Sequence, residues 1–267
     1  MRPRLIALDM DGTLIRRDGT IDAADRAAIG RARGEGVLVT LATGRLVGGT
    51  VPTARALGLS APLVCADGGV IVEPASGEKL HVTAIDTEHA DAVLARLVDH
   101  ALLPFVFAPD AIHGDAPRAP RHDRLRAWTP TLTLHPRLLD AATWRAEPVL
   151  IAVGVGAQGG IERAADALRA LGDALAWWTF PFGDEWAVRV HPRDCSKGAA
   201  LARVAARLGI DRADVAAVGD WINDVEMLRW AGRSFAMPGA PPDVKSAASD
   251  PLERGGVADA LARWLGW

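Results

Sequence analysis

Four short stretches of this sequence hold residues whose types and spacing could do chemistry together. Asp9-Met10-Asp11-Gly12-Thr13 follows the short apolar run Leu5–Leu8. Two carboxylates two residues apart at the end of a buried strand cannot both be buried without a cation or another partner. Their spacing lets one carboxylate reach a metal while the intervening turn offers a backbone carbonyl. Oxygen ligands of this kind suit Mg²⁺, which retains waters and pairs with substrate phosphate. Thr43-Gly44-Arg45 puts a hydroxyl and backbone N–H groups at the start of a helix, a natural anion cradle. Ser196-Lys197-Gly198 opens another helix and stands an ammonium where it can meet a phosphate. Gly219-Asp220-Trp221-Ile222-Asn223-Asp224 adds two carboxylates and an amide. Taken singly, each also reads as a solvated turn, a helix cap or a lysine on a wet face. Capping alone does not explain why all four fall at the same edge of one sheet.

That edge is set by the elements around the motifs. Residues 5–8, 37–41, 63–66, 215–218 and 234–237 are short apolar runs, too short for helices and bounded by turn residues, so they read as buried strands. Helices are expected over 22–33, with Asp22 as cap and Gly34 and Gly36 closing it, and over 46–57 despite Pro52. Further helices are expected over 197–208, 225–230, 244–248 and 257–265. Runs 70–72 and 80–82, joined by Ser76-Gly77, predict a hairpin. Strand–helix alternation at this spacing implies an α/β fold, a Rossmann-like doubly wound parallel sheet with ligands bound beyond its carboxyl ends. Between the halves the pattern changes: a helix over 87–100, strands at 105–107 and 149–153, a Pro/Arg/His-rich stretch over 117–126, a helix over 161–171, and an aromatic strand pair at 177–180 and 186–190. This predicts a small α+β domain over 85–188, inserted into a core made of 1–84 and 189–267.

Composition narrows the class. The chain has 267 residues, 49% hydrophobic and 24% charged, with a net charge of −3. Disorder and a disulfide-built miniprotein are excluded, and no basic footprint for nucleic acid is present. The longest apolar run is far short of a membrane span and no secretory leader is legible, so a cytoplasmic protein is expected. Cys65 and Cys195 have no Cys-x-x-Cys spacing and read as structural. Of 30 basic residues only Lys79, Lys197 and Lys245 are lysine, and Asn223 is the sole asparagine. In a chain biased this far towards arginine, Lys197 marks a position where a planar guanidinium does not replace a compact ammonium.

The four motifs, in this order, resemble those of the haloacid-dehalogenase superfamily, in its Cof-type sugar phosphatase branch. Val244-Lys245, Ala248 and Gly256-Val257-Ala258 resemble the C-terminal signature of that branch, and the inserted segment corresponds to its α/β cap. The resemblance implies that Asp9 attacks phosphorus to form an aspartyl-phosphate, and that Asp11 protonates the leaving alcohol and then activates water. It further implies Mg²⁺ on the Asp9 carboxylate, the Asp11 carbonyl and Asp220, and phosphoryl oxygens bound by Thr43, Gly44, Lys197 and Asn223. Asp224 and Arg45 would support, with Asn223 and Asp224 orienting Lys197, a metal-bound water or the phosphate. The partner is then a small phosphorylated metabolite, sugar phosphates foremost, and the protein a monomer or small homo-oligomer. A phosphomutase and a phospho-accepting signalling module are the alternatives.

Two positions depart from the family pattern. Asp67-Gly68 stands where Asn-Gly is usual, and an extra carboxylate there repels phosphate unless it is paired or turned away. Trp221 stands where a small or polar residue is usual; it narrows the pocket, touches the cap or packs into the core. For substrate choice in the inserted domain the candidates are His113, Arg118, Arg121, His122, Trp178, Asp184 and Trp186.

Overall fold

The structure is a computed structural model that describes residues 3–116, 125–126 and 128–267. Arg118, Arg121 and His122 lie outside the described residues. The chain divides into two compact units: Met1–Gly44, Thr50–His81 and Ser196–Trp267 form the first, Arg45–Gly49 and Val82–Cys195 the second.

The first unit is built on a parallel sheet in the order β13-β12-β1-β2, with β1 at Leu5–Leu8, β2 at Leu38–Leu41, β12 at Val215–Gly219 and β13 at Arg233–Ala236. Leu5 pairs with both Leu38 and Val215. Every side chain of β1 and β12 is buried, which is why both read as unbroken apolar runs rather than alternating ones. Leu5, Ala7, Val215 and Ala217 pack with Ala200, Leu201 and Val204 of α5 (Lys197–Arg207) and Met227 of α6 (Val225–Trp230). Strand alternation sends Ile6 and Leu8 to the opposite face, where they are also fully buried. Helices α1 (Ala23–Gly34) and α8 (Val257–Leu265) pack on each other and contact β2 and β12 respectively. The Asp22 carboxylate caps α1 by accepting the Ala24 N–H at 2.9 Å.

Helix α2 (Val47–Ala56) tolerates Pro52, and α7 spans Pro242–Ala247. Strand β3 (Leu63–Cys65) meets the parallel sheet through one bridge, Ala42 to Val64, and then pairs antiparallel with β4 (Val70–Val72), with β5 (Lys79–Val82) beyond. The order in which strands are added reverses between the parallel neighbours β1 and β12: β1 leads outward to β2, β12 outward to β13. Such a switch point opens a crevice at the strands' carboxyl ends, and Asp9 and Asp220 follow these two strands directly.

The second unit is a six-stranded sheet in the order β10-β11-β9-β6-β7-β8. Its strands are β6 (Leu103–Phe107), β7 (Ile112–Asp115), β8 (Leu132–His135), β9 (Ile151–Gly156), β10 (Leu175–Phe182) and β11 (Glu185–Pro192). The described pairings are antiparallel apart from β7 with β8. Helices α3 (Thr87–Asp99) and α4 (Gln158–Leu168) cover one face, packing Val93, Leu97, Ile161 and Ala164 on Val106, Ala152 and Val188. Phe107, Trp128 and Phe182 meet through tilted rings at 5.7 and 6.2 Å.

The sequence pattern misses β7 and β8 and starts α4 three residues late. No described helix is long and apolar enough to cross a membrane. Both cysteines are buried, and neither forms a disulfide among the described residues.

Candidate active site

The first unit assembles its motifs around a lysine. Lys197 is the first residue of α5, whose cap Ser196 accepts the Ala199 N–H, and its side chain is wholly buried. Nζ donates to Asp9 Oδ1 and to Asp224 Oδ1, each at 2.6 Å, and lies 4.0 Å from Asp67 Oδ1. Asp224, also fully buried, spends its other oxygen on the loop that carries it: Oδ2 accepts the backbone N–H groups of Asp220 (2.9 Å) and Trp221 (3.0 Å). One carboxylate therefore bonds both the loop after β12 and the ammonium.

Asp220 is held across the crevice, Oδ1 accepting the Thr13 hydroxyl at 2.9 Å. Gly12 makes that approach possible. Its φ is +93°, and a Cβ there would stand 2.3 Å from Asp220 Oδ2. Thr13 lies within the first motif, and the sequence alone assigns it no role. The usable signal was a hydroxyl two residues beyond the second carboxylate.

Charge in this cluster is unbalanced. Burial raises the Asp9 carboxyl well above the ordinary aspartate value, helped by Asp224 and Asp220 and opposed by Lys197. Asp220 is raised too, chiefly by burial, against the pull of the Thr13 hydroxyl. Burial alone would lower the Lys197 ammonium, but Asp224, Asp9 and Asp67 outweigh it and hold the lysine firmly charged. One ammonium does not neutralise this many carboxylates, so the cluster has room for a further cation. Asp9, Asp220 and Asp224 each offer an oxygen within 4.8 Å of the others. Both oxygens of Asp224 already accept hydrogen bonds, so Asp9 and Asp220 are the more available of the three. With a backbone carbonyl such as that of Asp11 the donors are all oxygen, and this set fits Mg²⁺.

The remaining motif residues make contacts of their own. Asp11 is exposed, on a turn closed by Gly12 N–H to Ile15 O and Ile15 N–H to Met10 O. Thr43 is buried; its N–H donates to Val64 O and its carbonyl accepts the Asp67 N–H at 2.9 Å. A Cβ on Gly44 would lie 3.3 Å from Asp67 Oδ1. Asn223 donates from Nδ2 to Asp67 Oδ1 at 2.8 Å, so the extra carboxylate is paired. Trp221 is 50% exposed, which excludes the core-packing alternative for its indole. Arg45 groups with the second unit.

Within that second unit, His113 is a correction. It is only 3% exposed, and its Nδ1 hydrogen-bonds His135 Nε2 at 3.1 Å, so it belongs to the interior rather than to a binding surface. Trp178 is covered by Arg189 at 5.2 Å and His191 at 5.0 Å, Trp186 packs on the helix-covered core, and Asp184 is exposed in the turn after β10.

Comparison with known proteins bears on this arrangement. A family model described as haloacid dehalogenase-like hydrolase matches residues 6–261. Phosphatase YwpJ of Bacillus subtilis (strain 168) is 30% identical over 268 residues, covering 92% of this chain and 93% of that protein. The HMP-PP phosphatase of Klebsiella pneumoniae (strain 342) is 32% identical over 245 residues, covering 91% and 87%. A crystal structure of a haloacid dehalogenase-like hydrolase from Bacteroides thetaiotaomicron superposes with a TM-score of 0.84 at 24% identity, covering 98% of this chain and 100% of that one.

Proposed function

The chain belongs to the haloacid dehalogenase-like hydrolases and is a phosphatase of that family; on this premise we propose that it hydrolyses small phosphorylated metabolites, sugar phosphates among them, through an aspartyl-phosphate. The observation that carries the reading is a buried carboxylate, Asp9, fixed 2.6 Å from a buried ammonium at a sheet switch point, with a second carboxylate, Asp220, beside it.

In the first half-reaction a carboxylate oxygen of Asp9 bonds to phosphorus as the bond to the substrate oxygen breaks. Asp11, exposed and close in sequence, gives its proton to the departing alcohol. In the second, Asp11 takes a proton from a water that attacks the phosphoryl-aspartate, which releases inorganic phosphate and restores Asp9. Lys197 neutralises charge on the phosphoryl oxygens; Thr43, the Gly44 backbone and Asn223 hold them in place. Mg²⁺ on Asp9, the Asp11 carbonyl and Asp220 would supply the positive charge that lets a phosphate dianion approach a carboxylate. We assign this chemistry to residues 1–84 and 189–267, and substrate choice to the cap over 85–188.

The test is phosphate release across a panel of phosphorylated sugars, nucleotides and cofactors with Mg²⁺. Turnover of some of them is expected. Return of phosphate to the same sugar, dependent on a bisphosphate activator, would instead show a mutase. Stable phosphorylation of Asp9 without turnover would show a signalling module.

A further inference from the structure

We infer that Asp67 is a positioning residue of this site, one that fixes which way the Asn223 amide faces; the inference rests on the phosphatase reading above. A carboxylate only accepts hydrogen bonds, whereas an asparagine amide can present either of two edges. Paired at 2.8 Å with Asp67 Oδ1, Asn223 must present Nδ2. The reversed amide would set two acceptor oxygens against each other inside the fold, at the cost of an unsatisfied buried group. The second hydrogen of Nδ2 stays available to a phosphoryl oxygen.

Asp67 is itself held rigidly. It is 6% exposed, and its backbone sits at φ 54°, ψ 30°, a left-handed conformation that aspartate and asparagine tolerate better than most residues. Its N–H donates to Thr43 O. The next residue, Gly68, has φ +102°, and a Cβ there would lie 2.3 Å from Ser196 O, so this loop rests directly on the start of α5 that carries Lys197. A single side chain thus meets Asn223 from the loop after β12 and faces Lys197 at 4.0 Å, while its backbone binds the loop after β2.

A mutant cycle with p-nitrophenyl phosphate and Mg²⁺ tests this, with melting temperature read alongside. D67A is expected to lower kcat about tenfold, the worth of one such hydrogen bond, with little change in KM or melting. D67N keeps an acceptor for Nδ2 and is expected to restore kcat to within about threefold of wild type. The double variant D67A/N223A is expected to be no slower than N223A alone, because Asp67 acts through Asn223. If D67A fails to fold, D67S carries the same cycle. Wild-type kcat in D67A, or losses that multiply in the double variant, overturns the positioning role. Wild-type turnover by N223A overturns instead the place given to Asn223 in the phosphatase reading.

Discussion

Lys197 shows what a single buried side chain can fix. Its ammonium makes two 2.6 Å contacts in a space with no exposed surface. A guanidinium is wider and planar and does not fit that point-charge geometry. Lys197→Arg is therefore expected to lose at least ~100-fold in kcat/KM while keeping its charge; near-wild-type rates in steady-state assays would contradict this. Asp9→Asn changes little but charge, and it should abolish phosphate release with a folded circular dichroism spectrum retained. Any substantial turnover would remove Asp9 as nucleophile. Cys65 is a control on the other side: burial pushes its thiol up to about 12, against a hydrogen bond with Thr50. At pH 8 the folded protein should leave Cys65 unalkylated by iodoacetamide until denaturant is added, as read by mass spectrometry.

At the scale of elements, His113 on β7 and His135 on β8 make a buried pair, with Glu147 Oε1 3.3 Å from His113 Nε2. Burial holds the His113 imidazole below its ordinary value, outweighing the opposite pull of Glu147. The unfolded chain then binds a proton before the folded one does. Stability from this group is complete above the unfolded value of about 6.5 and falls as pH drops below it. Wild type should lose more melting temperature than His113→Phe between pH 7.5 and pH 5; parallel losses would refute the assignment.

The same two strands show where reading the sequence ends. Ile112-His113-Gly114-Asp115 and Leu132-Thr133-Leu134-His135 carry no apolar run, and they are strands because β6 offers a paired edge, a long-range cause that local pattern does not register. Gln158-Gly159-Gly160 hides the first turn of α4, since glycine is a poor helix former. By contrast β1, β12 and α8 were legible residue for residue or nearly so, because burial on both sheet faces or along one helix stripe leaves a direct imprint. The site was legible as four motifs. What spacing could not reveal was that Asp224 divides its oxygens between a loop and a lysine, or that Asp67 finds a partner 156 residues away.

For the molecule as a whole, Asp9, Asp67 and Asp224 crowd one lysine and Asp220 lies close to Asp9 and Asp224, so the proposed cation would bear on stability as well as activity. A cation that binds only the folded chain raises its melting temperature. EDTA should abolish phosphate release, and added Mg²⁺ should restore it and raise melting by a few degrees, in a thermal-shift assay. In Asp220→Asn the thermal response should shrink. A full response in that variant would move the cation elsewhere.

The sheet order also has a consequence in time. β1 lies between β2 and β12, and its partner Val215 follows Leu5 by most of the chain. A ribosome threading this protein out releases the contiguous run Val82–Cys195 before β12 exists. The second unit can therefore collapse first, while β1 waits with one bare edge. Pulse proteolysis of nascent chains stalled near residue 235, where the ribosome still encloses β12, should find 82–195 protected and 1–44 cleaved. For that interval the strand that leads to Asp9 has only one of its two neighbours.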